Sequence, residues 1–248
     1  MTTLFVSDLH LSSARPAPLS LFFEFIAHLA HQRAQALYIL GDLFEVWLGD
    51  DDDTPPNDKV VAALAALTAA GVELHVGYGN RDFLYGARFA RATGAHLLDD
   101  YTVIDLYGTP TLITHGDLLC TRDVKYQRFR RVVRHPITRH AFLATPLAWR
   151  QHIAHRTRSG TVASMRRKDD AIMDVEEATV TAVMARYGVK LLIHGHTHRP
   201  AFHEYEEGAR RRIVLGDWYE QDAVLACNAN GQRVLRVSDY LSDTTPAD

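Results

Sequence analysis

The sequence predicts a mixed α/β fold organised around a mainly parallel sheet, and three observations lead there. Short apolar runs recur along the chain and close on Gly, Asp, Asn or His, as buried strands do. Stretches of helical length separate the first three runs, and alternation of strand and helix favours parallel pairing. The 248 residues, 47% of them hydrophobic, suffice for one undivided domain spanning residues 1–248.

In chain order, the strand candidates are Leu4 to Val6 before Ser7-Asp8, Leu37 to Leu40 before Gly41-Asp42, and Leu74 to Val76 before Gly77-Tyr78-Gly79-Asn80. Leu112 to Thr114 before His115 and Leu191 to Ile193 before His194-Gly195-His196 complete the set. Helices are expected over Leu19 to Arg33, Asp58 to Ala70 with Gly71 as stop, and Phe83 to Thr93 with Gly94 as stop. Asp169 to Tyr187 reads as a long helix stopped by Gly188. Beyond Pro200, antiparallel strands are expected, with Asn230-Gly231 as a hairpin turn, and the tail after Leu241 is expected to fray.

Parallel α/β sheets place their ligand sites at the carboxyl ends of the strands, so the polar residues that close these runs converge on one edge. Seven of them bind divalent metals well: Asp8, His10, Asp42, Asn80, His115, His196 and His198. Singly, Asp8 or Asp42 fits a turn or helix cap, and His115 or His194 fits a core histidine. His196 and His198 alternate in an extended segment and so point the same way. Coincidence at five strand ends is a poor account of the whole set, whereas a two-metal hydrolytic centre needs ligands that meet where several strands end. The chain has neither a Gly-x-Ser-x-Gly elbow nor a phosphate-cradling Walker loop.

The net charge of −3 hides an asymmetry. From Arg122 to Lys168 there are 13 Lys or Arg against one acid, Asp123, leaving 14 basic and 29 acidic residues elsewhere. Pro136 and Pro146 divide this segment into three helical pieces with apolar faces around Phe129, Phe142 and Trp149. It reads as a basic, amphipathic insertion over residues 122–168, of a kind that meets anionic membranes, nucleic-acid backbones or phosphorylated lipids. Asp50 to Asp53, followed by Thr54-Pro55-Pro56, reads as a solvated loop. Cys120 and Cys227 form no spaced motif, as expected of free thiols in a reducing cytosol. No secretory signal precedes the first strand, and no apolar stretch approaches a membrane span.

Asp8-Leu9-His10, Gly41-Asp42, Gly79-Asn80-Arg81-Asp82, His115-Gly116-Asp117 and Gly195-His196-Thr197-His198 together resemble the calcineurin-like metallophosphoesterase superfamily. The stretches Tyr38 to Glu45, Gly79 to Leu84, Ala171 to Val175 and Ile193 to Pro200 look, within it, like the UDP-2,3-diacylglucosamine diphosphatases of bacterial lipid A biosynthesis. The resemblance runs from residue 4 to about Trp218. It implies a four-layer αββα sandwich with the basic helical insertion as a lid. It also implies two Mn²⁺ per chain: Asp8, His10 and His198 on one, Asn80, His115 and His196 on the other, and Asp42 bridging.

The implied reaction is attack of a metal-activated water on the α-phosphorus of UDP-2,3-diacylglucosamine, with Asp42, His115 and Arg81 as catalytic residues. Arg81 stands where many superfamily members carry a proton-donating His, and a permanently charged guanidinium suits a phosphate leaving group. Its simpler alternative is a salt bridge to Asp82 or Asp42. Substrate contacts are implied for Asn80, Arg81, Asp123, Thr161, Met165, Lys168 and His196, Met165 departing from the usual Asn. The resemblance places the enzyme at the cytoplasmic face of the inner membrane, as a peripheral protein on an anionic surface, with no nucleic-acid partner. A dimetal phosphodiesterase or nuclease and a non-enzymatic scaffold of the same fold are the alternatives; the oligomeric state is open.

Overall fold

The computed structural model describes residues 2–32, 34–165 and 174–242, with the backbone alone over 157–165. Thr161 and Met165 therefore fall on described backbone with side chains outside the description; Lys168, Ala171 to Met173 and the tail from residue 243 lie outside the described residues.

β1 (Thr3–Val6), β2 (Ala36–Ile39), β3 (Glu73–Val76) and β4 (His96–Leu97) run parallel, in spatial order. β10 (Ala223–Asn228) and β11 (Gly231–Arg236) add to the β1 edge as an antiparallel hairpin. The second sheet has the order β5 (Thr102–Leu106), β6 (Thr109–Thr114), β7 (Leu191–His194), β9 (Arg210–Val214), β8 (Ala201–Tyr205). Its three central strands are parallel and its two edges antiparallel.

The period-2 alternation of strand side chains shows what each face covers. In β1, Leu4 and Val6 face one apolar layer and Phe5 another; in β2, Leu37 and Ile39 oppose Ala36 and Tyr38 in the same way. The first layer contains Phe22, Phe25 and Leu29 of α1 (Pro16–Gln32), Val60, Leu64 and Leu67 of α2 (Asn57–Ala69), and Phe89 of α3 (Ala87–Thr93). The second joins the two sheets through Phe5, Tyr38, Ile113, Ile193 and Ile213. A third sets Leu112 and Leu192 against Val180 and Met184 of the helix Glu177–Tyr187. Helix, sheet, sheet, helix is the four-layer sandwich.

Several boundaries differ from the sequence expectation, because a partner elsewhere in the chain or a strand pairing claims the local backbone. α3 begins at Ala87 rather than Phe83: Asp50 accepts the N–H groups of Gly86, Arg88 and Phe89 and so fixes the helix start. The expected helix from Asp169 falls on residues outside the description up to Met173; residues 174–176 are not helical and a helix runs over Glu177–Tyr187, with Glu176 extended, its N–H bound to Leu119 O and its carboxylate to Arg122. The β10–β11 turn is Ala229-Asn230, because Asn228 pairs with Gly231.

Three helices follow the 3₁₀ turn Asp117–Leu119: α4 (Val124–Val133), α5 (Pro136–Leu143) and α6 (Leu147–Met165). Pro136 sits in the first turn of α5, where a missing N–H costs nothing. Asp51 and Asp53 are exposed, as a solvated loop requires, but the run also does structural work: Asp50 caps α3, and Asp51 forms a two-pronged ion pair with Arg150 of α6. Arg150 is buried and also bonds Leu48 O and Thr145 O, so it pins α6 to the body. Phe142 packs on the first apolar layer, whereas Phe129 and Trp149 are exposed.

Arg150→Met keeps bulk but removes these bonds and is expected to cost about 2–4 kcal/mol of stability. Limited proteolysis should then cut α5–α6 well before the body; an unchanged cleavage pattern would show that Arg150 is no anchor.

Candidate metal centre

Where β1 ends, the chain turns through left-handed backbone at Asp8 and His10 (φ 57° and 46°). Asp42 after β2 does the same (φ 53°), as do His196 and His198 after β7 (φ 71° and 54°). Five of the seven candidate ligands thus occupy a region that costs a non-glycine residue on the order of 1–3 kcal/mol, which persists only where the surroundings over-determine it. Neighbouring loops supply that determination. Asp8 N bonds Gly41 O at 3.2 Å, His10 N bonds Asp42 O at 2.8 Å, and Gly195 N bonds His115 O at 2.9 Å. Glycines allow the approach: a Cβ on Gly79 would overlap Asp42, and one on Gly195 would overlap Ser7 and Asp8.

All seven side chains come together. His198 Nε2 lies 3.1 Å from Asp8 Oδ1, and His10 Nε2 lies 3.9 Å from the same oxygen. Asn80 Oδ1 is 3.1 Å from both His115 Nε2 and His196 Nδ1. Between the groups, Asp42 Oδ2 is 3.6 Å from His10 Nε2 and 3.9 Å from His115 Nε2.

The donor atoms are arranged as a cation would require. Asp8 Oδ2 is taken by Ser7 Oγ and His196 N, leaving Oδ1 inward; Asp42 Oδ1 is taken by Arg81 N, leaving Oδ2 inward. His115 Nδ1–H donates to Leu40 O, which fixes the ring with Nε2 turned toward Asn80 Oδ1 as the nitrogen available to a metal. Asp8, His10 and His198 form one group with donor atoms within 4.8 Å, and Asp8, Asp42 and His115 another. These residues fit a dimetal centre.

Electrostatics agrees. Burial, aided by Asp82 and Asp8 against the pull of His115, pushes the Asp42 carboxyl up to about 7. Burial takes His10 down to about 2 despite Asp8, and His196 down to about 4, leaving both neutral as ligands must be. Burial would lower His115 too, but Asp42, Asp8 and Asp117 prevail and raise it. Buried carboxylates outweigh fixed cations here, the imbalance that divalent ions correct.

The other sequence candidates fall as follows. Arg81 pairs with the buried Glu45, not with Asp82 or Asp42. Asp123 is the N-cap of α4, accepting from Tyr126 N at 3.1 Å, and the Tyr126 ring lies 6.3 Å from that of His196. His194 is a core histidine: buried, bonded to Gly195 O and contacting Arg212. Four residues outside the candidate set build the surroundings. Asp82 accepts from Gly79 N, Asp42 N and Phe44 N, joining the loops after β2 and β3. Asp117 takes Tyr126 OH and Arg130. Asp217 Oδ2 lies 3.6 Å from His198 Nδ1, and Glu45 holds Arg81. Of these, Asp82 and Asp117 already stood in the motifs Gly79-Asn80-Arg81-Asp82 and His115-Gly116-Asp117, and Asp217 had a usable signal, since Ile213-Val214-Leu215-Gly216-Asp217 repeats the apolar run closed by Gly-Asp.

The Asp42 shift predicts a pH effect in chelated protein. A carboxyl whose folded pKa is raised favours folding while protonated and loses that contribution as pH rises through about 7. Asp42→Asn mimics the protonated form, so its Tm relative to wild type should be higher at pH 8 than at pH 5. A difference that is flat across this range, read by calorimetry with chelator present, refutes the assignment.

Residues 1–200 match the calcineurin-like phosphoesterase family. A UDP-2,3-diacylglucosamine hydrolase of Aeromonas hydrophila is 49% identical over 236 residues, covering 94% of this chain and 98% of its own. Proteins of the same name from Stenotrophomonas maltophilia and Serratia proteamaculans are 50% and 48% identical, over 93% and 95% of this chain and 96% and 99% of their own. Among solved structures, an archaeal phosphodiesterase shares the fold, with a TM-score of 0.51 at 14% identity over 95% of this chain and 99% of its own. With its ligands gathered at the strand ends and this likeness along nearly its whole length, the chain belongs to the calcineurin-like phosphoesterase family and, within it, to the UDP-2,3-diacylglucosamine hydrolases.

Proposed function

We propose that this protein hydrolyses the diphosphate of UDP-2,3-diacylglucosamine by attack of water on the α-phosphorus, releasing UMP and 2,3-diacylglucosamine 1-phosphate for lipid A biosynthesis. The observation that carries this is near-50% identity over more than nine-tenths of relatives bearing that name, in a chain that brings all seven candidate ligands together.

Two Mn²⁺ are the proposed cofactors, because carboxylate, amide-oxygen and imidazole donors without thiolate suit manganese-class ions. Asp8, His10 and His198 would hold one, Asn80, His115 and His196 the other, and Asp42 would reach both. When bound, such a pair lowers the pKa of water and neutralises phosphoryl oxygens.

The chain's own residues do the rest. Arg81, about a third exposed and steadied by Glu45, presents a fixed positive charge beside Asn80, where phosphate charge develops as the anhydride bond breaks. Asp123, Thr161, Met165, Lys168 and His196 are the proposed contacts to the sugar phosphate. Six of the ten large apolar side chains exposed among the described residues, Val124, Phe129, Val132, Ile137, Leu143 and Trp149, belong to α4–α6. Together with the basic charge of that segment, they support a role for these helices in holding acyl chains at the anionic cytoplasmic surface of the inner membrane. No helix among the described residues is long and apolar enough to cross a membrane.

Chelation should abolish turnover, and Mn²⁺ should restore it. In ¹⁸O-labelled water the label should appear in UMP by mass spectrometry; label only in the sugar 1-phosphate would place attack at the other phosphorus. Arg81→Ala should lower kcat by about 10²–10³ with little change in KM. A raised KM at unchanged kcat would reassign Arg81 to ground-state binding.

A further inference from the structure

His10 carries a buried polar atom that the ligand geometry alone leaves unexplained. Its Nε2 lies 3.6 Å from Asp42 Oδ2 and 3.9 Å from Asp8 Oδ1, so Nε2 is the nitrogen turned toward the centre. A neutral imidazole that ligates through Nε2 carries its proton on Nδ1. The ring is buried, and among the described residues Nδ1 has no hydrogen-bond partner. His115 shows the ordinary arrangement: its Nδ1–H donates to Leu40 O at 2.9 Å, which fixes ring and tautomer together. A buried N–H without an acceptor is costly, so His10 needs one of its own.

Glu45 supplies it. Its Oε2 lies 4.0 Å from His10 Nδ1, about 1 Å short of a hydrogen bond, and its Oε1 takes Arg81 Nη1. The parallel bridge between Leu11 and Phe44, with Glu45 N on Leu11 O at 3.1 Å, lays this residue beside the His10 turn. Tyr219 closes the space: its ring stacks on His10 at 5.2 Å and 10°, and its hydroxyl lies 3.5 Å from the same Oε2. The two oxygens of one buried carboxylate thus look in two directions, one to the cation beside Asn80 and the other to a ligand of the Asp8, His10 and His198 group.

We infer that Glu45 is a positioning residue shared by His10 and Arg81: in the loaded centre its Oε2 accepts the His10 Nδ1–H, fixing the ring and tautomer that present Nε2, while Oε1 holds Arg81 in place. This rests on the proposed metal assignment and on the proposed role of Arg81, and adds a link between them. Glutamine at this position has one acceptor oxygen and cannot serve both.

The test compares full-length wild type, Glu45→Gln and Arg81→Met without substrate. In calorimetric titration with Mn²⁺, Glu45→Gln should bind one of two ions about tenfold more weakly and the other as wild type does, whereas Arg81→Met, which loses a positive charge, should bind both at least as tightly as wild type. In ¹⁵N-histidine protein loaded with Zn²⁺ as a diamagnetic stand-in, the His10 Nδ1–H, identified as the signal missing from His10→Gln, should lie downfield in wild type and move upfield in Glu45→Gln. If Glu45→Gln does not fold, Glu45→Gln/Arg81→Met removes both charges and is compared with Arg81→Met under the same expectations. Unchanged Mn²⁺ affinity, equal weakening of both ions, or an unmoved His10 signal overturns the assignment. A wild type that binds both ions yet leaves UDP-2,3-diacylglucosamine intact removes the proposed substrate, while these measurements still decide the role of Glu45.

Discussion

The burial of Asp42 between two groups of donors is the constraint on which the rest of the structure depends. Its carboxylate is almost wholly shielded from water and shares its surroundings with Asp8 and Asp82, so ionising it in the bare protein is costly. Such a group is kept only if the fold prevents its escape. Arg81 N claims one oxygen, Asp82 claims the Asp42 N–H, and His10 N claims the Asp42 carbonyl. The left-handed turn at Asp42 follows from these three demands, and the glycine at position 79 follows from the turn.

The same logic extends outward to the helices over the site. Asp117, two residues beyond His115, takes Tyr126 OH and Arg130, and Arg130 and Arg134 share Asp100. Arg134 also bonds the carbonyl of Gly79, next to the ligand Asn80. Charges that looked unpaired along the sequence are therefore partly spent on fixing α4 to the loops that carry the ligands, and Arg150 with Asp51 does the same for α6. Arg122, Arg130, Arg134 and Arg150 belong to the scaffold, so any anionic ligand meets a smaller and differently placed charge than the 13 cations of the segment suggest.

What the sequence revealed divides along the same line. The ligands were legible because strand ends have a local signature, an apolar run closed by a polar group, and parallel strands must deliver those groups to one edge. Interior helix positions were legible from their stops, Gly94 and Gly188, both left-handed as a C-cap requires. The start of α2 was legible to within one residue, but those of α3 and of the helix Glu177–Tyr187 were not, because Asp50 and Glu176 fix them through partners tens of residues away. Glu45 was hidden by its setting, an acid inside Leu43-Phe44-Glu45-Val46-Trp47 whose purpose is visible only once Arg81 lies beside it. Asp51 is exposed, as a run of four carboxylates suggests, but its partner was hidden for the complementary reason: the buried guanidinium of Arg150 lies 99 residues away.

The protonation states around the centre also bear on which bond it suits. Breaking a phosphate ester requires a proton for the alkoxide, whereas an anhydride releases phosphate, which leaves as an anion. Burial keeps His10 and His196 neutral, with no proton to give as acids near pH 7. His194, taken by burial down to about 3, is locked against Gly195 O. Tyr126, whose hydroxyl burial and Asp117 hold far above its ordinary range, already donates to Asp117. Arg81, paired with Glu45, is charged at every pH of interest. His10, His196, His194, Tyr126 and Arg81 therefore supply lone pairs and fixed positive charge and no mobile proton, whereas nearby carboxylates raise His115 and His198, so any proton the metal-free centre holds on an imidazole sits on those two ligands.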